Sequence, residues 1–109
     1  MLDRTYRVLV RGTFAGLSDD TRARLRAEAD EHSLLRSGFT REGTLTYDRS
    51  LRPFTFRIEV SVPAGEREER DAADEGELAA IETLAAAGYP HGELTTTATN
   101  QDDIKIRSR

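Results

Sequence analysis

The chain has 109 residues, of which 37% are hydrophobic and 33% charged, a size that suits one domain (1–109) with a single buried core. It has no cysteine, which excludes disulfides, thiolate metal sites and cysteine nucleophiles, and its longest apolar runs, such as Leu84–Ala87, are four residues against the ~20 needed to cross a bilayer. Residues 1–62 hold 11 Arg against 9 Asp or Glu, while residues 63–109 hold 5 basic and 11 acidic groups; the resulting net charge of −4 lacks the basic footprint that nucleic acid requires.

Met1-Leu2-Asp3-Arg4 offers no apolar h-region, so no secretory signal is read and the cytoplasm is the expected compartment. Tyr6 to Phe14 then alternates, with Tyr6, Val8, Val10 and Phe14 on one side and Arg7 and Arg11 on the other, which predicts a first strand. Gly12 interrupts that strand at a bulge or a close backbone approach. Ser18 is suited to cap a helix whose first turn carries Asp19 and Asp20. The helix is expected from about Asp19 to Leu34 or Leu35, with a thin apolar stripe through Leu25, and Ser37-Gly38 stops it.

Period-two alternation returns at Phe39, Arg41, Gly43, Leu45 and Tyr47, and again at Phe54, Phe56, Ile58, Val60 and Val62. The polar link Asp48–Pro53 between these runs predicts a β-hairpin with one buried and one wet face. A second helix is expected from Glu66 to about Ala87, with Leu78, Ile81, Leu84, Ala85 and Gly88 sharing an apolar face. Its early turns are weakly apolar, and Gly76 lowers helix continuity there. Gly88–Gly92 stops the helix, Leu94–Thr99 reads as a fourth strand, and Ile104–Arg107 alternates as a short fifth strand at an edge. The order strand, helix, strand, strand, helix, strand is that of an α+β, ferredoxin-like domain, with both helices on one face of an antiparallel sheet.

Four residues stand out as ligand-binding candidates. His32 ends the first helix and His91 precedes the fourth strand, so the topology can bring them to one site, or leave them as a helix-end and a turn residue. Arg41 lies on the core face by alternation, where it either orients an anion in a cleft or reaches solvent at the sheet margin. Tyr47, with Tyr6 and Tyr89, can line the same cleft or serve as a core residue. No third ligand has metal spacing to either histidine, so no metal and no cofactor is assigned. The acidic stretch Glu66–Glu77, with seven acids and two arginines, reads as a solvated helix face or a dock for a basic partner.

The segment Arg11–Leu17 resembles the loop of acylphosphatases. Ala15–Thr21 has no arginine for a phosphate, however, and Asn100, near the C-terminus, is the sole asparagine, so the activity is not carried over. A wider resemblance rests on Arg4–Val8, Val10-Arg11-Gly12, Phe14–Asp19, Phe39-Thr40, Leu45–Asp48, Arg52–Arg57 and Thr97–Thr99. These segments are similar to a family of small actinobacterial proteins of unknown function, which implies no catalytic residue. Two functions follow. One is a non-enzymatic domain that binds a small ligand or protein partner and forms an edge-mediated homodimer or stays a monomer. The other is a cofactor-free enzyme of the dimeric α/β-barrel type, a monooxygenase or cyclase, using His32, Arg41, Tyr47 and His91.

Overall fold

A computed structural model of the chain describes residues 3–29 and 38–101. In chain order its elements are β1 (Asp3–Thr13), α1 (Asp19–Ala27), β2 (Thr44–Tyr47), β3 (Pro53–Pro63), α2 (Glu68–Ala87) and β4 (Thr95–Asn100). The strands form one open four-stranded sheet in the order β2-β3-β1-β4, and every neighbouring pair is antiparallel. The domain is thus a mixed α+β structure with two helices.

β1 and β3 supply the long central pair, in register from Asp3 opposite Pro63 to Thr13 opposite Pro53. Their alternation sends Tyr6, Val8 and Val10 of β1 and Phe54, Phe56, Ile58, Val60 and Val62 of β3 to one face, where all are buried. Leu45 and Tyr47 extend that face from β2, and Leu25, Ala29, Ala72, Ala80 and Leu84 close over it. Each large apolar side chain removed from water in this way contributes about 1.5–3 kcal/mol.

The two helices are held by different means. α1 buries only Leu25 among its own residues. It starts at Ser18, whose side chain accepts from Thr21 N at 3.2 Å, and the Tyr47 hydroxyl donates to Leu25 O at 2.7 Å from the core beneath it. Arg24 reaches across from α1 to donate to Ala87 O at 3.0 Å, with its guanidinium 5.4 Å from the Tyr89 ring centroid. Because α2 has no basic residue in its own last turn, Arg24 supplies the cation that this helix end favours.

α2 departs from the expected orientation. Its buried residues are Ala72, Gly76, Ala80 and Leu84, four apart, whereas Leu78 and Ile81 are 55% and 41% exposed. Packing decides this. A Cβ at Gly76 would sit 2.4 Å from Val8 Cγ1, so the helix lies on the sheet along its smallest side chains. Gly76 is therefore a contact point inside a continuous helix, and the early turns are seated on β1 through Ala72 and Gly76.

The strand before the hairpin also begins later than expected. Gly43 adopts φ 93°, and a Cβ there would meet Phe56 Cζ at 2.1 Å, so the chain turns over the Phe56 ring before β2 starts at Thr44. Residues 39–41 consequently lose the alternation read for them. α1 ends at Ala27 with Glu28 as its C-cap, short of the expected Leu34 or Leu35, while residues 30–37 and the fifth strand read at Ile104–Arg107 lie outside the described residues.

Candidate functional site

The opposite face of the sheet carries the chemistry. Strand register sets Arg7 across from Glu59 on β3 and Thr99 on β4, Leu9 across from Arg57 and Thr97, and Arg11 across from Thr55 and Thr95. Leu9 is thereby flanked along its strand by Arg7 and Arg11 and across it by Arg57. The described helices send their buried side chains to the other face, so among the described residues no helix covers this one.

Each arginine has a distinct support. Arg57 Nη1 donates to Thr46 Oγ1 at 2.8 Å, and Thr46, only 3% exposed, contacts Thr55 O at 3.4 Å through the same oxygen. The Arg7 guanidinium lies 5.4 Å from the centroid of Phe39, a cation–π contact that steadies a half-buried charge. Phe39 thus lies against an outward arginine, not in the core where alternation put it. Arg7 Nε is buried and has no hydrogen-bond partner among the described residues. Arg11 is exposed.

Among the described strand residues this face carries the guanidinium groups of Arg7, Arg11 and Arg57 against the carboxylates of Asp3 and Glu59, while the chain as a whole is at −4. On the other side of the sheet, α2 opens with Glu68, Glu69 and Asp71 in its first turn. The molecule is polarised across its sheet, and a field of that shape draws anions to the arginine side.

The four sequence-derived candidates do not converge. His32 lies outside the described residues. Tyr47 is a buried core residue, 6% exposed, whose hydroxyl is committed to Leu25 O. Arg41 takes the second placement read for it, exposed at the sheet margin because β2 starts after it, and it lines a groove of about 470 Å³ with Asp3, Glu59, Ser61, Glu75 and Ala79. His91 lines a separate groove of about 460 Å³ with Ile81, Leu84, Ala85, Tyr89 and Pro90; its Nδ1 is 2.7 Å from Gly92 O. No cluster of three or more His, Cys, Asp or Glu residues suited to a metal occurs among the described residues.

A further polar cluster lies under the start of α2. The Tyr6 hydroxyl donates to Glu68 Oε2 at 2.9 Å, Gly65 N donates to Glu68 Oε1 at 3.2 Å, and Arg4 Nε is 3.9 Å from Oε2. Burial first, and then the Glu68 carboxylate, push the Tyr6 phenol above its ordinary pKa. At the hairpin turn, Ser50 donates to Asp48 through its hydroxyl and its backbone N–H, which holds the Asp48 carboxyl below its ordinary value.

Neither the arginine triangle nor the Tyr6–Glu68 pair was singled out by sequence reasoning. The outward arginines were visible as polar strand positions. Their grouping around Leu9 needs the β1–β3 register, which closes over the whole first half of the chain.

Fold and surface together define a small open-sheet α+β domain with a cationic face. The chain belongs to a family of unknown function, DUF6204, whose model matches residues 1–109. No curated protein and no solved structure matches it.

Proposed function

We propose that this chain is a cytoplasmic, ferredoxin-like binding module that takes a small anion, a carboxylate or a phosphate, on the sheet face that no described helix covers. Read from the other edge, the strand order is β4-β1-β3-β2, the interleaving of two strand–helix–strand halves that supports the ferredoxin-like reading. No helix among the described residues is long and apolar enough to cross a membrane, in keeping with that compartment. The preponderance of arginine among the 16 basic residues, with Lys105 the sole lysine, agrees with an actinobacterial source.

One observation carries the function: Arg7, Arg11 and Arg57 surround Leu9, and Arg7 keeps a buried Nε with no partner among the described residues. A guanidinium presents donors in a planar fork that matches carboxylate and phosphate oxygens. The threonines opposite Arg7, Leu9 and Arg11 on β4 add hydroxyl donors, and Leu9 gives an apolar floor for a short carbon skeleton.

The same face weighs against a dimeric-barrel enzyme, which would pack this surface on a second copy. From Thr5 to Arg11 on β1 and from Thr55 to Ser61 on β3, Leu9 is the only outward apolar side chain. The test is an NMR titration with citrate and with inorganic phosphate. Shifts on outward residues of β1, β3 and β4, weakened at least tenfold by Arg7→Ala or Arg57→Ala, are the expected result. Shifts centred on Arg41 or His91, or no shifts at all, would overturn the reading.

A further inference from the structure

The two edges of the sheet are unlike. The β2 edge is four residues long, and beyond it the chain folds back so that Glu59 N donates to Thr40 O at 2.7 Å, with Thr40 bridged to Ile58. Pro53 and Pro63 bound β3, and Asp48 and Arg49 follow β2 directly. A short strand, prolines and flanking charges are the means by which native sheets blunt an edge.

The β4 edge is longer and, within the strand itself, carries none of these guards; Glu93 and Asp102-Asp103 flank it in sequence. Thr95-Thr96-Thr97-Ala98-Thr99-Asn100 pairs with β1 alone among the described strands and contains neither a charged residue nor a proline. Four of its six residues are threonine, whose β-branched side chains favour the extended backbone. An edge strand presents one row of N–H and C=O groups outward, ready to pair with a further strand. Along the helix side of β4 runs a groove of about 380 Å³ lined by Glu69, Arg70, Ala73, Thr96, Thr97 and Ala98.

We infer that two copies of this chain pair antiparallel through β4 about a two-fold axis, joining their sheets into one of eight strands. Self-pairing of antiparallel strands is two-fold by construction, and in such an interface each contact occurs twice with the roles exchanged. Glu69 and Arg70, adjacent and exposed beside the edge, are complementary under that exchange: Glu69 of one copy meets Arg70 of the other, and the reverse. Threonine opposite threonine across the new ladder is a favourable cross-strand pair. The contact is a six-residue strand flanked by one helical turn, at the small end of specific interfaces, so association is weak and concentration-dependent. The arginine faces of the two copies lie on the same side of the joined sheet, but the pairing does not require the anion reading.

Sedimentation equilibrium on the full chain over a wide concentration range, together with amide hydrogen exchange, tests this. The expected result is a monomer–dimer equilibrium in which β4 amides gain protection as concentration rises. Thr97→Lys places like charges opposite each other near the axis and should leave a monomer that melts where the dilute, monomeric wild type does. Glu69→Arg and Arg70→Glu should each be monomeric alone and form a heterodimer when mixed. A wild-type chain monomeric at every concentration overturns the proposal. So does a dimer that survives Thr97→Lys, or β4 protection independent of concentration, which would mean that another part of the same chain covers the edge.

Discussion

Phe56 and Arg57 are consecutive residues on β3, yet they belong to two different kinds of surface. Phe56 is 1% exposed in a core of aromatic and branched side chains, onto which α2 fits by its smallest residues. Arg57 points the other way, hydrogen-bonded to Thr46 in a layer of arginine and threonine that no described helix covers. The inner face is specified by shape, where a methyl group in the wrong place is felt. The outer face is specified by charge and register, where side chains meet solvent and one another more than a packed layer. Core packing and surface charge are thus written on alternate residues of the same strands.

The widest gap between the faces should appear when those neighbours are truncated one at a time. Phe56→Ala is expected to cost about 3–5 kcal/mol, while Arg57→Ala should cost no more than ~1 kcal/mol, both read from urea unfolding midpoints. Equal losses would dissolve the contrast. Next in size, Gly76→Ala drives a methyl into Val8, which is fully buried on a central strand. The overpacking should cost about 1–3 kcal/mol despite the better helix propensity of alanine. A stabilised variant would mean that α2 is free to lift from the sheet.

The smallest effect is a dependence on pH. The folded state holds Tyr6 neutral beside Glu68, so its pKa lies above the ordinary tyrosine value. The unfolded chain then loses this proton first as pH rises. The contribution of Tyr6 is present in full below pH ~10 and fades as pH climbs through the raised folded value. Unfolding midpoints measured on either side of pH ~10 should fall more for the wild type than for Tyr6→Phe. Parallel curves would show that the phenol is not held by its surroundings.

Much of the fold is legible in the chain because its signals are local: β1 and β3 alternate, and β4 is rich in β-branched threonine. Alternation failed at Phe39 and Arg41, since a residue at φ 93° breaks the pleat and the sequence marks it only as Gly43. The orientation of α2 was hidden for another reason. Leu78-Ile81-Leu84-Ala85 and Ala72-Gly76-Ala80-Leu84 both keep helical spacing. Hydrophobicity favours the first stripe, and only the bulk of the facing strands selects the second. Of the candidate site, the outward arginines were readable one by one, but their assembly around Leu9 is a product of long-range register. Arg41, Tyr47 and His91 looked alike in sequence as polar groups near apolar runs, and went to a groove, the core and a second groove.

The placement of β1 bears on how the protein is made. Its partners begin at Pro53 and Thr95, so the strand at the centre of the sheet leaves the ribosome first and is fully paired last. For seconds of synthesis Tyr6, Val8 and Val10 have no sheet to join. Arg7 and Arg11, interleaved with them, put two positive charges into that apolar segment while it waits. The outward arginines of the finished sheet are thus the same residues that break up its central apolar strand during manufacture.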